Sequence, residues 1–450
     1  MPDLMWVWWV GTVLLCAWII IEAVVFRPVR LLEWPFLACC MWAYFYGYMA
    51  YNAKLTLSAY LGNGMADIGQ LMAFLCLIGL IAGWKIGTRL PINLKPATQN
   101  YPYLLCWAAG FILILVGAVG NYSVYQAQDE GALNYRTASA YWYLLFYIGY
   151  PGLAIAIWAT LKTKSPATWW TLLALTLGAL VIFIMPQVIG ARRGPLYPAI
   201  IALLLVPPLT LRRPPNRLVY CGGLIGVGVV MLLFVQVRQT IYNGGSWSEA
   251  FQKLDVSSAV VDRGTEAEDN EYVNNCQLIA TVYQNGKYQY GTGHLELLVH
   301  WVPHVLWPAK PGLGEGNYSF NEMFDDVERS TGVRLLGTGA AFGGVADSFV
   351  QYGVLCPFFW LVLATLIGWL YSAAVRTHSP WLMLAYVGFL CASHWLISQN
   401  VPSAFVPAMF FELVPVLLMI GIWLLRLWSR PTRRFGPRRV HMEPMVPRAL

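Results

Sequence analysis

Long apolar runs separated by short polar segments make up most of this chain. Eleven of the runs approach the roughly 20 residues that a helix needs to cross a bilayer. They cover residues 4–25, 34–50, 68–84, 101–120, 141–161, 168–189, 196–211, 218–236, 349–375, 380–397 and 405–428. We therefore predict an all-α polytopic membrane protein with about 11 transmembrane helices.

One long polar stretch interrupts this pattern and divides the chain. The predicted parts are transmembrane helices 1 to 8 in residues 1–237, a large loop in 238–346, transmembrane helices 9 to 11 in 347–428 and a basic tail in 429–450. Inside the loop, Ser246 and Glu249 have the spacing of a capping box, which predicts a short helix. A second helix is predicted over residues 271–284, ending near Gly286. Residues 295–305 are apolar but too short to span, so we expect them in the interface or re-entering the membrane.

Composition and charge agree with a membrane protein. Hydrophobic residues make up 58% of the chain and charged residues 11%. The net charge of +7 does not indicate nucleic-acid binding, because Lys and Arg occur in short groups between the apolar runs. Eighteen of the 29 Lys and Arg fall in one set of alternate connections, at the end of the last apolar run and in the tail, as expected for cytoplasmic segments. We therefore predict an outer N-terminus, an inner tail and a loop on the outer face.

The sequence indicates no metal, nucleotide or disulfide chemistry. Eight of the nine cysteines lie in apolar runs, which gives no disulfide framework. His300 and His304 have a spacing that suits a metal on a helix, but Pro303 lies between them and no third ligand is spaced nearby. The glycine-rich residues 312–316 follow no strand, so they predict a turn and not a nucleotide site. We therefore predict that the protein uses no cofactor and no metal.

Two adjacent arginines, Arg192 and Arg193, lie between two apolar runs on the predicted outer side, against the general charge trend. Because arginine presents a fork of donors that matches phosphate oxygens, the pair is a candidate anion site. The alternative is that both side chains reach outward to lipid headgroups. Arg238, at the end of the eighth run, and Arg136, in an outer connection, could join the same pocket or act as boundary anchors.

Aromatic and polar residues near the same face add candidate binding positions. Trp307 belongs either to an interfacial aromatic belt or to a surface that stacks on sugars. His394, near the outer end of the tenth run, is either a site residue or a hydrogen-bonded packing residue. Together with the arginines, these residues fit a lipid-linked anionic substrate, whose sugars contact aromatic rings and whose phosphates contact arginines.

Three short blocks resemble a known family. VPHVLWPAKP (302–311) resembles the PR-x-LWP-x-KP element of bacterial O-antigen and exopolysaccharide repeat-unit polymerases of the Wzy type. GARRGPLY (190–197) resembles their Arg-rich segment between two mid-chain spans, and GGVADSFVQYGVLCPFF (343–359) is similar to the block that opens a late span. The predicted span count and the large outer loop agree with that family.

The resemblance implies a metal-independent membrane glycosyltransferase with the fold of GT-C-like, lipid-linked glycosyltransferases. Such an enzyme would transfer a growing glycan from undecaprenyl pyrophosphate to the sugar of another lipid-linked repeat unit. It would act at the periplasmic side of the bacterial inner membrane. The implied partners are the lipid-linked oligosaccharide, the bilayer, a chain-length regulator and a flippase, with no nucleic acid.

The same resemblance implies roles for individual residues. Arg192 and Arg193, with Arg238, would stabilise the charge on the leaving pyrophosphate. The candidates for the base that activates the acceptor hydroxyl are Asp347, His300, His304 and Glu315. The remaining substrate-binding candidates are Arg136, Trp307, Lys310, Tyr352 and His394.

The chain departs from the family at two places, and two other functions stay open. The family element reads Pro-Arg where this chain has Pro303 and His304, so a cation there depends on pH. The related O-antigen ligases carry a histidine where this chain has residues 345–348, which favours a polymerase over a ligase. A flippase of the same lipid would need a central charged cavity and repeated halves, whereas the spans here hold few charges and no repeat.

Overall fold

The structure is a computed structural model, and every regular element that it describes is helical. It describes residues 4–53, 63–94, 101–129, 139–190, 196–242, 245–253, 271–299, 307, 320–332 and 341–402, with short pieces as far as residue 421. The α-helices in chain order are α1 Met5–Ile21, α2 Trp34–Trp42, α3 Asn63–Gly87, α4 Tyr103–Asp129, α5 Ser139–Lys162, α6 Pro166–Ile189, α7 Leu196–Leu211, α8 Arg217–Tyr242, α9 Trp247–Gln252, α10 Glu271–Asn285, α11 Thr292–Val299, α12 Phe320–Thr331, α13 Gly343–Tyr352, α14 Cys356–Thr377 and α15 Pro380–Ser398.

Several of these helices are long and apolar enough to cross a bilayer. The seven segments are Met5–Phe26, Ala66–Gly87, Tyr103–Gln126, Leu145–Lys162, Pro166–Ile189, Gly343–Thr377 and Pro380–Ser398. Each coincides with one of the predicted spans. Large apolar side chains such as Leu14, Trp18 and Ile182 stay exposed on them, as expected for surfaces that face lipid tails. The all-helical membrane class is therefore confirmed, while the count of eleven spans stays a prediction.

The other four predicted spans have different outcomes. Residues 34–50 are helical, but α2 gives way to a π-helix at Ala43–Tyr48. The run 196–211 is the 16-residue helix α7, with the predicted bounds. The run 218–236 forms α8, which continues to Tyr242 and so contains Arg238. Most of the run 405–428 lies outside the described residues.

Glycines allow α3 and α14 to approach at backbone distance. Gly79, Gly83 and Gly87 of α3 lie one turn apart, and a Cβ on them would come within 2.3, 2.1 and 2.1 Å of carbonyl oxygens of α14. Closely packed small residues of this kind let transmembrane helices gain van der Waals contact. The carbonyl next to Gly79 belongs to Pro357, the second residue of α14. The crossing therefore holds the start of α14 against α3.

The two helices predicted in the large loop are confirmed. The short one is α9, in which the Ser246 hydroxyl accepts a hydrogen bond from the Glu249 amide and the Glu249 carboxylate accepts one from the Ser246 amide. The other is α10, which is followed by Gly286 at a φ of +64°. A left-handed residue after the last turn is the usual helix stop, and glycine adopts it without strain. Both predictions rest on local capping signals, which tertiary contacts do not override.

Helix α10 does not lie on the surface, as a loop helix would, because its residues 272–282 are all buried. The Tyr272 hydroxyl donates to Gln70 Oε1 of α3 at 2.6 Å, and Asn275 Nδ2 donates to the Phe342 carbonyl at 2.8 Å. Burial raises the pKa of the Cys276 thiol to about 12, although a hydrogen bond with Tyr272 acts in the opposite direction. The helix is therefore an integral part of the bundle.

The connections between helices meet at two ends of the bundle. At one end, which we call the basic end, Lys162 Nζ donates to the Thr210 carbonyl at 3.2 Å and Arg376 Nη2 donates to the Thr88 carbonyl at 3.1 Å. At the other, which we call the loop end, α10 and α11 pack against α13. Helix α14 connects the two ends and has 22 residues, a length of about 33 Å. The basic end gathers the connections that the charge pattern predicts to be cytoplasmic.

Candidate active site at the loop end

Three polar side chains from two helices converge at the loop end. His294 of α11 contacts Asp347 of α13 through Nε2 and Oδ2, 3.1 Å apart, and Tyr352 of α13 through Nδ1 and the hydroxyl, 3.0 Å apart. The backbone amide of Val401 donates to the same Asp347 oxygen at 3.0 Å. The side chains of His294 and Asp347 are only 9% and 3% exposed. We call His294, Asp347 and Tyr352 the histidine cluster.

The segment before α11 places His294 against α13. The amides of Gln289 and Gly291 donate to the carbonyls of Val350 and Gln351, at 2.9 and 3.0 Å. The Gly293 amide donates to Gln351 Oε1 at 3.2 Å. Gly291 has a φ of +82°, and a Cβ on Gly293 would lie 2.3 Å from Gln289 Oε1. The backbone conformation of Gly291 therefore favours glycine, and a side chain at residue 293 would have to displace the buried amide of Gln289.

Two glycines also position the start of α13, one turn before Asp347. Gly343 has a φ of +79°, and a Cβ there would lie 2.8 Å from the Tyr46 hydroxyl. A Cβ on Gly344 would lie 1.9 Å from the Leu396 carbonyl of α15. The pair Gly-Gly therefore lets α13 lie directly on α15, and this contact brings Asp347 to the chain that follows α15.

The pattern of donors and acceptors defines the state of the imidazole. A carboxylate can only accept, so Nε2 of His294 carries the hydrogen that faces Asp347. In the neutral imidazole Nδ1 is then the acceptor, and the Tyr352 hydroxyl donates to it. An aspartate that holds one ring nitrogen fixes the orientation of the imidazole and stabilises its charged form when the other nitrogen takes a proton. The histidine cluster therefore has the arrangement of an oriented general base.

An apolar cavity of about 740 Å³ opens beside the cluster, within the roughly 300–1,000 Å³ of small-molecule sites. His294 and Tyr352 line it, and all its other lining residues in the described chain are apolar. The larger of these are Leu297, Phe359, Leu363, Phe389, Leu396 and Met409. The Tyr352 ring stacks on Phe359 with centroids 5.4 Å apart. The cavity can thus hold a long apolar chain whose polar end lies near His294.

Tyr288 borders this site and stays protonated. Its ring packs edge-on to Phe349 with centroids 5.9 Å apart, and a Cβ on Gly353 would lie 3.2 Å from its Cε1. Burial, followed by the neighbouring Tyr283 and Tyr290, raises the pKa of the Tyr288 phenol. At neutral pH the hydroxyl therefore remains a hydrogen-bond donor.

Among the described residues that were singled out from the sequence, Asp347 and Tyr352 come together in the histidine cluster. Seven others lie outside the described residues: Arg136, Arg192, Arg193, His300, His304, Lys310 and Glu315. The backbone of Arg238 lies in α8. Trp307 is described and is 41% exposed.

His394 lies in α15 and does not line the cavity. Its Nδ1 is 3.1 Å from the Cys391 carbonyl, and its ring centroid is 4.1 Å from that of Tyr197 and 3.9 Å from that of Trp395. The ring is buried among these aromatic side chains. This location favours the packing role over the site role.

The sequence interpretation missed His294, the central residue of the cluster. The predicted apolar stretch in the loop begins at residue 295, which leaves His294 one position outside it. The local signal is the run Gly291, Thr292 and Gly293 directly before a polar residue at the start of an apolar helix. Two closely spaced glycines there indicate that the backbone approaches another element.

Neither a metal site nor a comparison with known proteins adds a further chemical group to this site. Nowhere in the described part of the chain do three His, Cys, Asp or Glu side chains converge as a metal ion would require. Comparison with protein-family models, with curated proteins and with solved structures gives no match. The histidine cluster and its cavity therefore carry the functional argument, together with the sequence blocks described above.

Proposed function

We propose that this chain is a membrane glycosyltransferase that polymerises lipid-linked oligosaccharide repeat units, as its resemblance to the Wzy-type polymerases implies. It would transfer a glycan from undecaprenyl pyrophosphate to the sugar of another lipid-linked repeat unit at the outer face of the bacterial inner membrane. The observation that carries the proposal is the histidine cluster at the edge of the apolar cavity. A base beside a binding place for a lipid chain is what this reaction needs.

In the proposed reaction the acceptor hydroxyl oxygen attacks the anomeric carbon of the donor glycan. The bond between that carbon and the pyrophosphate oxygen breaks, and the lipid pyrophosphate leaves with the electron pair. The hydroxyl proton goes to Nδ1 of His294, the nitrogen that the Tyr352 hydroxyl contacts in this structure. Asp347 stabilises the imidazolium through Nε2, and such general bases contribute about 10²–10⁴-fold in rate.

The apolar cavity supports a substrate with a polyprenyl tail. A tail in the cavity would contact Phe359, Leu363 and Met409 and would place its pyrophosphate and sugar beside His294 and Tyr352. Burial of apolar surface stabilises such binding by about 25 cal/mol per Å². Fixing the tail would also hold the anomeric carbon near the base, which lowers the entropic part of the barrier.

The leaving pyrophosphate needs cations that the histidine cluster lacks. Arg192 and Arg193, with Arg238, keep the proposed role of stabilising this charge. Lys310 and Arg136 keep a proposed role in binding the phosphates. His300, His304 and Glu315 become secondary candidates for the base, because His294 is oriented by a carboxylate and lines the cavity.

The test is a His294→Gln variant in a bacterial host from which the gene is deleted. We expect the surface polysaccharide ladder to collapse to single repeat units, while lipid-linked units still reach the outer face. His441→Gln, the same change in the C-terminal tail, should leave the ladder intact. A full ladder with His294→Gln present at normal level in the membrane would contradict the proposed base.

An O-antigen ligase remains a second candidate function. The argument against it was that the late-span block lacks the histidine that ligases carry, and the position of His294 removes that argument. The late-span block 343–359 contains no histidine, but α11 places His294 against Asp347 of that block. A ligase and a polymerase would use the same base and differ in the acceptor. Unattached full-length polymer in the deletion strain would indicate a ligase, and repeat units trapped on the inner face would indicate a flippase.

A further inference from the structure

The basic end holds a second cavity, of about 340 Å³, with a different lining. Lys162, Arg212, Arg213 and His378 supply its positive and titratable groups, and we call these four residues the basic pocket. No carboxylate is among the residues that line the cavity in the described ranges. A concave site with several cations and no lining acid favours an anionic ligand.

Part of the lining of this cavity is aromatic and apolar, and we call this part the aromatic wall. Trp158 lies edge-on to Tyr101 and Tyr103, with centroids 5.8 and 5.6 Å apart, and all three rings line the cavity. Met383 and Leu32 extend the same wall. A ligand that contacts both the basic pocket and the aromatic wall has an anionic head and an apolar body. A phospholipid has this form, whereas a free phosphate ion would use the cations alone.

Helix ends at the basic pocket reduce its positive charge but do not cancel it. The helices α5 and α7 end at Lys162 and Leu211, and α14 ends at Thr377. Each C-terminus carries a partial charge of about −0.5. Lys162 and the two arginines carry a full positive charge each, so their summed charge exceeds the summed negative partial charge of the three helix ends. The N-terminus of α15, capped by Ser379, adds positive potential to the same cavity.

Two residues of the basic pocket occupy backbone positions that usually favour glycine. Arg212 has a φ of +56° and His378 a φ of +57°. Both directly follow a helix, where a left-handed residue is usually glycine. Their side chains are thereby held at the cavity. Burial, together with the positive charges of Arg212 and Lys162, lowers the pKa of His378, which is what a site of positive potential does to a histidine.

We propose that the basic pocket binds the phosphate of an anionic phospholipid from the leaflet at the basic end, with the lipid's apolar body against the aromatic wall. The cations Lys162, Arg212 and Arg213 would contact the phosphate oxygens, and Trp158 and Met383 would contact the first part of the acyl chains. This site is independent of the histidine cluster, which lies at the opposite end of α14.

The test is lipid binding to the purified full-length protein, measured by native mass spectrometry in detergent. Phosphatidylglycerol is titrated against phosphatidylcholine, with inorganic phosphate and pyrophosphate as separate ligands. The variant Lys162→Gln/Arg212→Gln is compared with Lys164→Gln/Arg217→Gln, which removes equal charge from exposed residues that do not line the cavity. Lys162→Arg/Arg212→Lys keeps both charges. Thermal melting of each variant confirms that it is folded.

We expect phosphatidylglycerol to bind in preference to phosphatidylcholine. Neutralising Lys162 and Arg212 should weaken its binding about 25-fold, because each cation near an anionic lipid contributes about fivefold. The exposed pair should have little effect, and the charge-keeping pair should bind as wild type. Equal losses in the two neutralised pairs would overturn the pocket. Inorganic phosphate or pyrophosphate that binds as tightly as phosphatidylglycerol, with the same loss, would overturn the lipid as its ligand.

Discussion

The loop end and the basic end both place polar side chains beside apolar walls, but they arrange charge differently. At the loop end His294, Asp347 and Tyr352 are joined by hydrogen bonds of 3.0 to 3.1 Å. At the basic end Lys162, Arg212 and Arg213 line a cavity without any carboxylate from the described lining. A histidine whose two ring nitrogens are held by defined partners is oriented to accept a proton. Several positive charges that line one cavity favour the binding of an anionic ligand.

Both ends depend on the crossing of α3 and α14. We expect Gly83→Leu to remove most folded protein from the membrane, because the new side chain would meet the Leu361 carbonyl, 2.1 Å from its Cβ. Overpacking usually costs about 1–3 kcal/mol, and a clash with backbone cannot be relieved by a rotamer change. Fluorescence-detected size-exclusion chromatography of the detergent extract measures the loss.

A matched control for this change is Gly178→Leu on α6. A Cβ on Gly178 meets nothing within 4 Å, so this variant should give a peak like the wild type. If both leucine variants lower the peak equally, the effect belongs to apolar bulk in a span and not to the crossing.

Removing the charge of Asp347 should separate the chemistry of the loop end from its folding. Asp347→Asn keeps an oxygen for the Val401 amide and for His294 Nε2, but it no longer stabilises the imidazolium. We expect polymerisation to fall about 10²-fold while the folded protein stays at wild-type level. Incorporation of lipid-linked repeat units in membrane preparations measures the rate. Asp325→Asn, at an exposed residue of α12, should retain full activity, and an unchanged rate for Asp347→Asn would contradict its role.

Tyr352→Phe distinguishes two routes for the proton. We expect a fall of less than about tenfold, because Nδ1 of His294 would then be open to the acceptor hydroxyl itself, which leaves most of the base's contribution in place. A fall as large as that of His294→Gln would instead show that the Tyr352 hydroxyl relays the proton. The same incorporation assay gives both rates, and the conservative change keeps the ring that stacks on Phe359.

Local signals predicted the two helices of the large loop, while contacts between distant segments remained hidden. The capping box of Ser246 and the stop at Gly286 are encoded within a few residues, so α9 and α10 could be predicted. Asp347 was identified as a candidate base because it lies in a recognisable block. Its partner His294 is 53 positions away, and only the docking of α11 on α13 brings the two together. Hydropathy likewise predicts apolar helices but does not indicate that the polar loop contributes a buried one.

The buried state of α10 is testable through its cysteine. Burial raises the pKa of Cys276 to about 12 against the lowering effect of its hydrogen bond with Tyr272, whereas an unfolded cysteine titrates near 8.5. At pH 8 we expect Cys276 to resist maleimide in the native protein and to react after denaturation, because the thiolate is the reactive form. The raised pKa favours the folded state below about pH 8.5, and this contribution is lost as the pH rises towards 12. Peptide mapping by mass spectrometry measures the modification. Rapid labelling of Cys276 in the native protein at pH 8 would mean that α10 is accessible, and the loop end would then lack the packed helix that supports α13.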